Sequence, residues 1–324
     1  MSYAHVGDAA LNAVLSRLPG IYRAATANAE ELIGQFLKPR MSRLRPRDNE
    51  KATAYRLRVT QAFVGREWAS LRKRIAQGFT DAHMAAGDTI NGALTAAFAA
   101  GLSEAAYTIA RNGVEMWPIT AAIVAKLVTD GVITLNECKL NRNKSIKYNE
   151  ERVDSAVHAE VFSGTAVEKL PKAIAQRIAN GRKNDVISVA RATVYGASDT
   201  GAYYAGLEAA HIGIETEKTW LSIMDMRVRT SHKNLHGTTI PINERFQGYY
   251  GTLRYPHDPT APPQETMRCR CRMVVHVKGK PPGEYSRELL PSQTAAYKKW
   301  RDAQIRKAGS ELELMKKHKR LMGR

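Results

Sequence analysis

Four prolines, Pro256, Pro259, Pro262 and Pro263, lie between two short segments whose β-branched and aromatic content favours strands, Lys218–Ile223 and Cys271–Val277. Proline has no amide donor and a fixed φ, so the chain between those segments can form neither a helix nor a ladder. A loop of that length must be held by packing or by polar links from outside itself. Residues suited to that task flank it. Trp220, Asp225, Arg227, Arg229, His232 and His236 precede the prolines, and Glu265, Cys269 and Cys271 follow them. A plain apolar core avoids such a mixture, because an unpaired buried polar group costs on the order of several kcal/mol. Trp220 and Phe246 read as core of this small module, since neither alternates with Lys or Arg as base-stacking aromatics do.

The rest of the chain carries a helical period. Leu11, Val14, Leu15 and Leu18 mark a helix within residues 1–37; Val64, Trp68, Leu71, Ile75 and Phe79 recur at steps of three and four, with Arg66, Arg72, Lys73 and Arg74 off that stripe. Ile90, Leu94, Phe98, Leu102 and Ile109 continue it with small residues between them, which lets helices approach closely. That stretch is interrupted by Asn91, Ser103 and Glu104, so it is expected as a buried helix and not a membrane span. Pro118 suits the first turn of a helix running to about Thr129. Further helices are expected over about 149–162, from a capping box at Thr165 and Glu168 to a stop at Asn180 and Gly181, and over 185–211, where Val186, Ala190, Ala197, Gly201 and Leu207 share a stripe.

The expected fold class is mainly α with a small α+β module: a helical N-terminal body, a long connecting helix, a short antiparallel sheet with a proline-rich loop, and a basic helical C-terminal tail. The corresponding domains are 1–48 (N-terminal helix and basic arm), 49–183 (helical domain), 184–279 (the cross-linked module) and 280–324 (tail). Three cysteines, two of them as Cys269-x-Cys271, are an odd number at a spacing that does not readily close a disulfide, which points to a reducing compartment. No secretory signal pattern opens the chain.

A formal charge of +18 points to a polyanionic partner, nucleic acid first, with a merely soluble basic surface as the alternative. The candidate contacts are Arg40, Arg45 and Arg47 in a proline-containing basic segment, and Lys316, Lys317, Lys319, Arg320 and Arg324 in the tail. No recognition-helix, zinc-finger or RNA-binding signature is present, so the expected DNA contact is electrostatic and independent of sequence. The rival occupant of the tail is an acidic protein surface.

Residues 187–275 resemble the phage Mu F-like minor head proteins, also described as phage head morphogenesis proteins. Ala190-Arg191 with Thr193, Trp220 followed by Asp225-x-Arg227, Leu235-x-Gly237, and Cys269-Arg270-Cys271 carry the resemblance. It implies a non-enzymatic component of a tailed bacteriophage head, in the virion interior or at the portal vertex after assembly in host cytoplasm. The implied partners are portal protein, major capsid or scaffolding protein and double-stranded DNA, with roles in head assembly, packaging or ejection and no membrane in the assembled head.

Many relatives carry C-x-x-C after the Asp-x-Arg element and a His before Cys-Arg-Cys, a combination that reads as a zinc site. Here those positions are Arg229, His232 and Thr266, the last beside Glu265. The expectation is therefore a cofactor-free clamp, with an Arg229–Glu265 ion pair supported by Asp225 and Arg227 and joined by His232, Cys269 and Cys271. Zinc on His232, Cys269 and Cys271, with a fourth ligand from Asp225, His236 or His257, is the alternative. Arg191 is expected to reach Asp225 or a backbone carbonyl, or to extend into solvent.

Two other functions fit the residues. One is a metal-dependent nucleic-acid enzyme centred on Asp225, His232 and Asp258, with His257 nearby. The other is a non-specific DNA-binding protein unrelated to phage heads. His232 and His236 share the spacing of metallopeptidase ligands, yet no Glu follows the first.

Overall fold

The computed structural model describes residues 5–280 and 291–321. In chain order the helices are α1 (Asp8–Leu37), α2 (Met41–Leu44), α3 (Ala52–Gln61), α4 (Arg66–Asn91), α5 (Leu94–Ala110), α6 (Ala121–Thr129), α7 (Arg142–Phe162) and α8 (Leu170–His211). Then follow β1 (Thr216–Leu221), α9 (Thr230–Leu235), β2 (Thr239–Pro241), β3 (Phe246–Gln247), β4 (Thr252–Leu253), α10 (Pro263–Thr266), β5 (Arg272–Val277), α11 (Ala295–Ala308) and α12 (Glu311–Leu321). The protein is mainly helical, with a small antiparallel sheet.

Two compact units form, neither of them continuous in sequence. One takes Leu15–Thr89 and Lys139–Ile187; the other takes Met1–Val14, Ile90–Cys138 and Ser188–Arg324. The break expected near 183 lies close to the division between Ile187 and Ser188, while no division falls near 48 or 279; α1, α4 and α8 each contribute residues to both units.

In the first unit the stripe read from the sequence is the core from Trp68 onward, while Val64 lies ahead of α4 and is exposed. Trp68, Ile75 and Phe79 of α4 are buried with Ile33 and Phe36 of α1 and with Val153 and Val157 of α7. Trp68 meets Phe63 edge-on at 4.8 Å between ring centroids. Asn149 donates to Thr80 Oγ1 at 2.9 Å, which pairs two buried polar side chains.

The basic segment after α1 is folded and not a loose arm. Arg58 of α3 pairs with Glu50 and donates to the carbonyls of Arg43 and Arg45, while Leu44 of α2 is buried. Thr165 and Glu168 form no capping box: the Thr165 hydroxyl donates to Glu160 at 2.7 Å, and the following 3-10 turn starts from Ala166 without a side-chain cap. Nor do Asn180 and Gly181 stop a helix, since α8 runs through them for 42 residues. Ile178, Ala179 and Arg182 are buried on either side of that pair, and such packing outweighs a glycine cost of about 1 kcal/mol. A Cβ at Gly181 meets nothing nearer than 3.9 Å. Gly181→Ala is therefore expected to raise this unit's stability by about 0.5–1 kcal/mol in denaturant unfolding.

The second unit is built on a close contact between α5 and α8. A Cβ on Gly101 would lie 1.9 Å from Ser198 O, and one on Gly201 would lie 2.1 Å from Phe98 O. The two glycines thus let the backbones of the helices touch. Around that contact Phe98, Leu102, Ile109, Trp117, Ile123, Leu127 and Val275 form one buried cluster. Helix α6 starts three residues after Pro118, with the Thr120 hydroxyl accepting from the Ile123 amide as its N-cap.

The three-stranded sheet has the order β2-β1-β5, antiparallel throughout, and β3 pairs with β4 separately. In the central strand Trp220 lies opposite Met273, and Lys218 lies between Ile240 and Val275. Thr216 ties the sheet to α8 by donating to Gly206 O at 3.0 Å.

The C-terminal helix packs on this unit as well. Leu314, His318 and Leu321 of α12 are buried, and His318 links Glu208 (2.9 Å) to Pro118 O (3.0 Å). Burial alone would lower the His318 pKa, but the Glu208 carboxylate prevails and raises it. A folded value above the unfolded 6.5 means that this stabilisation is complete below about 6.5 and is lost as pH rises through the folded value. Tryptic cleavage within α12 is expected to accelerate on the alkaline side of that titration, and to lose its pH dependence in His318→Leu. Residues 281–290 and Arg324 lie outside the described residues.

Candidate functional site

The proline-rich loop is held by a compact polar knot, which begins from β1. Trp220 is fully buried against Phe246, Leu235, Leu253, Cys269 and Cys271. Its ring meets His232 edge-on at 5.1 Å and Phe246 at 5.2 Å. The indole N–H donates to Ser222 Oγ at 3.0 Å, and the Ser222 hydroxyl in turn donates to the carbonyl of His232. The first turn past β1 is thereby fastened to α9. His236, at the end of α9, accepts the Ser222 amide through Nδ1 at 3.0 Å, so His232 and His236 do not share a ligand position.

At the centre, His232 Nε2 lies 2.9 Å from Glu265 Oε2, with both side chains almost wholly removed from solvent. The other oxygen of Glu265 accepts the Tyr250 amide at 2.8 Å, and Ser231 Oγ lies 3.4 Å from Oε2. Burial opposes ionisation of Glu265, yet the Tyr250 amide and His232 hold its pKa below the ordinary carboxylate value. The opposite face of the imidazole, Nδ1, lies 3.6 Å from Cys269 Sγ and 3.4 Å from Cys271 Sγ. Burial pushes the Cys269 thiol well up, whereas its hydrogen bond to Cys271 holds that group well below the ordinary thiol value.

The structure reassigns the clamp expected from the sequence. Arg229 donates to the carbonyls of Glu265 and Met267 and does not pair with the Glu265 carboxylate, which His232 occupies. A buried carboxylate is better matched by the planar imidazole beneath it, while the longer guanidinium caps carbonyls freed at the end of α10. Asp225 pairs with Arg270 at 2.8 Å, and from Arg227 it accepts the backbone amide and not the guanidinium. The loop near 229 and the loop near 270 are joined all the same. Arg229, His232 and Asp225 on one side meet Met267, Glu265, the cysteines and Arg270 on the other.

A second polar cluster escaped the sequence reading. His257, with φ of +61°, lies 2.9 Å from Asp199 Oδ2 through Nδ1 and 2.9 Å from Cys269 O through Nε2. His5 Nε2 lies 3.5 Å from the other Asp199 oxygen, and its ring stacks on Tyr195 at 3.8 Å. Arg191 lies in the field of the Tyr195 hydroxyl, which donates to Asp8, and not beside Asp225. No local pattern marks Asp199: it sits on a helix, and its partners are 58 residues or more away.

Lys218 is also buried, donating to Ile242 O at 2.9 Å and Glu244 O at 2.6 Å, and desolvation lowers its pKa to about 7. Asp258 is fully committed to the two-pronged guanidinium of Arg254 and to the Thr260 amide and hydroxyl. Against the cost of burial those partners hold its pKa at about 2. Because the folded value is depressed from 3.8, the stabilisation is present above about pH 4 and is lost as pH falls towards 2. Asp258→Asn is expected to remove about 2 kcal/mol at neutral pH and to flatten the acid limb of the stability curve.

Asp225, His232 and Asp258 therefore answer to three separate partners. Among the described residues, the groups with metal-binding potential are instead His232 with Cys269 and Cys271, and His5 with Asp199 and His257.

Fold and site together define a helical protein whose small antiparallel sheet is closed by a buried, cross-linked loop. Residues 151–274, which include the whole knot, match the sequence model of the family described as "Phage Mu protein F like protein". Over 94 residues the chain is 26% identical to the minor head protein GP7 of Bacillus phage SPP1; the match takes in 29% of this chain and 30% of that protein. The chain thus spans about a third of the length of that curated relative. No solved structure matches.

Proposed function

We propose that the protein is a minor head protein of a tailed bacteriophage, in which the knot is a scaffold and not a reaction centre. The observation that carries this reading is the coincidence of the family match with the knot itself: the stretch similar to phage Mu F-like proteins is the stretch that the buried Trp220, His232, Glu265 and cysteine contacts hold together. Asp258 and Glu265, the carboxylates that general acid or base chemistry would use, are buried and fully occupied by protein partners.

Partner contact falls to the cationic surface. Arg40 pairs with Glu67, Arg45 with Glu168, Lys316 with Glu313 and Lys319 with Asp130, while Lys317 lies over the Trp117 ring at 3.7 Å. Exposed pairs of this kind are worth roughly 0–1 kcal/mol and exchange readily for phosphate. Helix α11 adds exposed Lys298, Lys299 and Arg306. The reading is an electrostatic seat for packaged DNA, with the portal or inner capsid wall as the protein partner.

The test is to separate assembled particles from soluble protein and assay each by mass spectrometry. The chain should be found in heads at fewer copies than the coat protein; its absence from particles would favour a free DNA-binding protein. Duplex DNA should bind with a log K that falls by about 0.9 per phosphate contacted for each tenfold rise in salt. Charge-reversing Lys298, Lys299 and Arg306 together should flatten that slope. DNA degradation with added divalent metal, lost on substitution of His232, would instead support the enzyme alternative.

A further inference from the structure

We propose that His232, Cys269 and Cys271 bind one zinc ion, with the fourth coordination position open to solvent in the adjoining cleft. The Glu265 carboxylate can only accept, so His232 Nε2 carries the proton and Nδ1 presents its lone pair to the sulfurs. A carboxylate on the far nitrogen is the usual device for orienting a metal-bound histidine and raising its basicity.

Two sulfurs share that one lone pair, at 3.4 and 3.6 Å. Nδ1 can accept a proton from only one of them, and Cys271 Sγ also lies 3.5 Å from Ser222 Oγ. One ion at the centre satisfies all three groups at once. Tetrahedral zinc with Zn–S of about 2.3 Å and Zn–N of about 2.05 Å would set each S···N edge at about 3.6 Å, close to both observed separations. Charge agrees as well. Zn²⁺ with two thiolates is neutral, which suits a site where His232, Cys269 and Cys271 are each nearly inaccessible.

Binding displaces the two thiol protons to solvent, and the imidazole enters neutral. The fourth vertex faces a cleft of about 190 Å³ lined by the three ligands and by Arg227, Arg229, Arg268 and Arg270. Among the described residues no fourth protein ligand reaches it: His236 is held by the Ser222 amide, His257 by Asp199 and Cys269 O, and Asp225 by Arg270. A water molecule, which a small anion can replace, completes the tetrahedron.

The inference stands independently of the head-protein reading, because it is tested on the purified full chain and not on particles. Elemental analysis should find about one zinc per chain. After chelator treatment, cobalt(II) titration should saturate at one equivalent, with the intense visible bands of a tetrahedral site and a near-ultraviolet thiolate charge-transfer band. Cys138→Ser should leave that spectrum unchanged, and a Cys269→Ser, Cys271→Ser double variant should abolish it. Glu265→Gln should keep tetrahedral cobalt but weaken its binding about 10–100-fold. Metal-free purified protein whose cobalt spectrum is octahedral, or no different from that of the double variant, would overturn the proposal. Both wild-type measurements decide the matter even if a variant fails to fold.

Discussion

Gly201→Ala should destabilise the sheet-bearing unit by about 3 kcal/mol or more, the upper end of what overpacking a core produces. The added methyl would lie 2.1 Å from Phe98 O and 2.9 Å from Leu102 N, both backbone atoms that no rotamer change can move. Gly101→Ala meets the same obstacle from the other helix, at 1.9 Å from Ser198 O. Relief requires α5 and α8 to separate, and that would loosen Phe98 and Leu102 from the cluster they share with Val275 of the sheet. Urea unfolding followed by circular dichroism should show the midpoint falling for either variant. Gly181→Ala, also within α8, should move it slightly the other way. If Gly201→Ala were neutral, the close helix contact would not exist as described.

Glu265→Ala is the second large effect expected. It strands His232 Nε2 in a buried position and removes the acceptor of the Tyr250 amide. Removing one partner of a buried pair typically costs about 3–5 kcal/mol, because the other is left uncompensated. Tyr249 and Tyr250, exposed at the edge of this loop, should become accessible to protease together with the 254–264 segment, while the helical unit built from residues 15–89 and 139–187 keeps its circular dichroism. Glu265→Gln, which retains an acceptor of the same shape, should cost clearly less.

Much of the helical plan could be read from residue spacing, since Trp68, Ile75 and Phe79 recur at the period that buries them. Strands are expected at 218–223 and 271–277 from their β-branched and aromatic content, and they form at Thr216–Leu221 and Arg272–Val277. The division into units cannot be read in this way, because three long helices each serve both, and nothing local says that α8 continues through Asn180 and Gly181. Burial of Ile178, Ala179 and Arg182 decides that point, and burial is a property of the folded chain.

At the site, the sequence named His232, Glu265, Cys269 and Cys271 as one group but not how they join. Arg229 and Glu265 have opposite charges, so pairing them was the economical reading. Which carboxylate meets which cation depends on the depth of each side chain, and Glu265 lies deeper than a guanidinium that must also reach the Met267 carbonyl. Asp199 and His5 gave no signal, as their contacts with His257 arise only when distant stretches of chain meet.

The central claim is that the loop near 229 and the loop near 270 are locked by a buried link between His232 and Glu265. A double-mutant cycle on full-length chain, with His232→Ala, Glu265→Ala and both together, measures that link by itself. A coupling energy of about 1.5–3 kcal/mol is predicted, so that the double variant is scarcely worse than the more damaging single one. Strictly additive losses would mean that the two side chains do not act on each other, and would contradict the account.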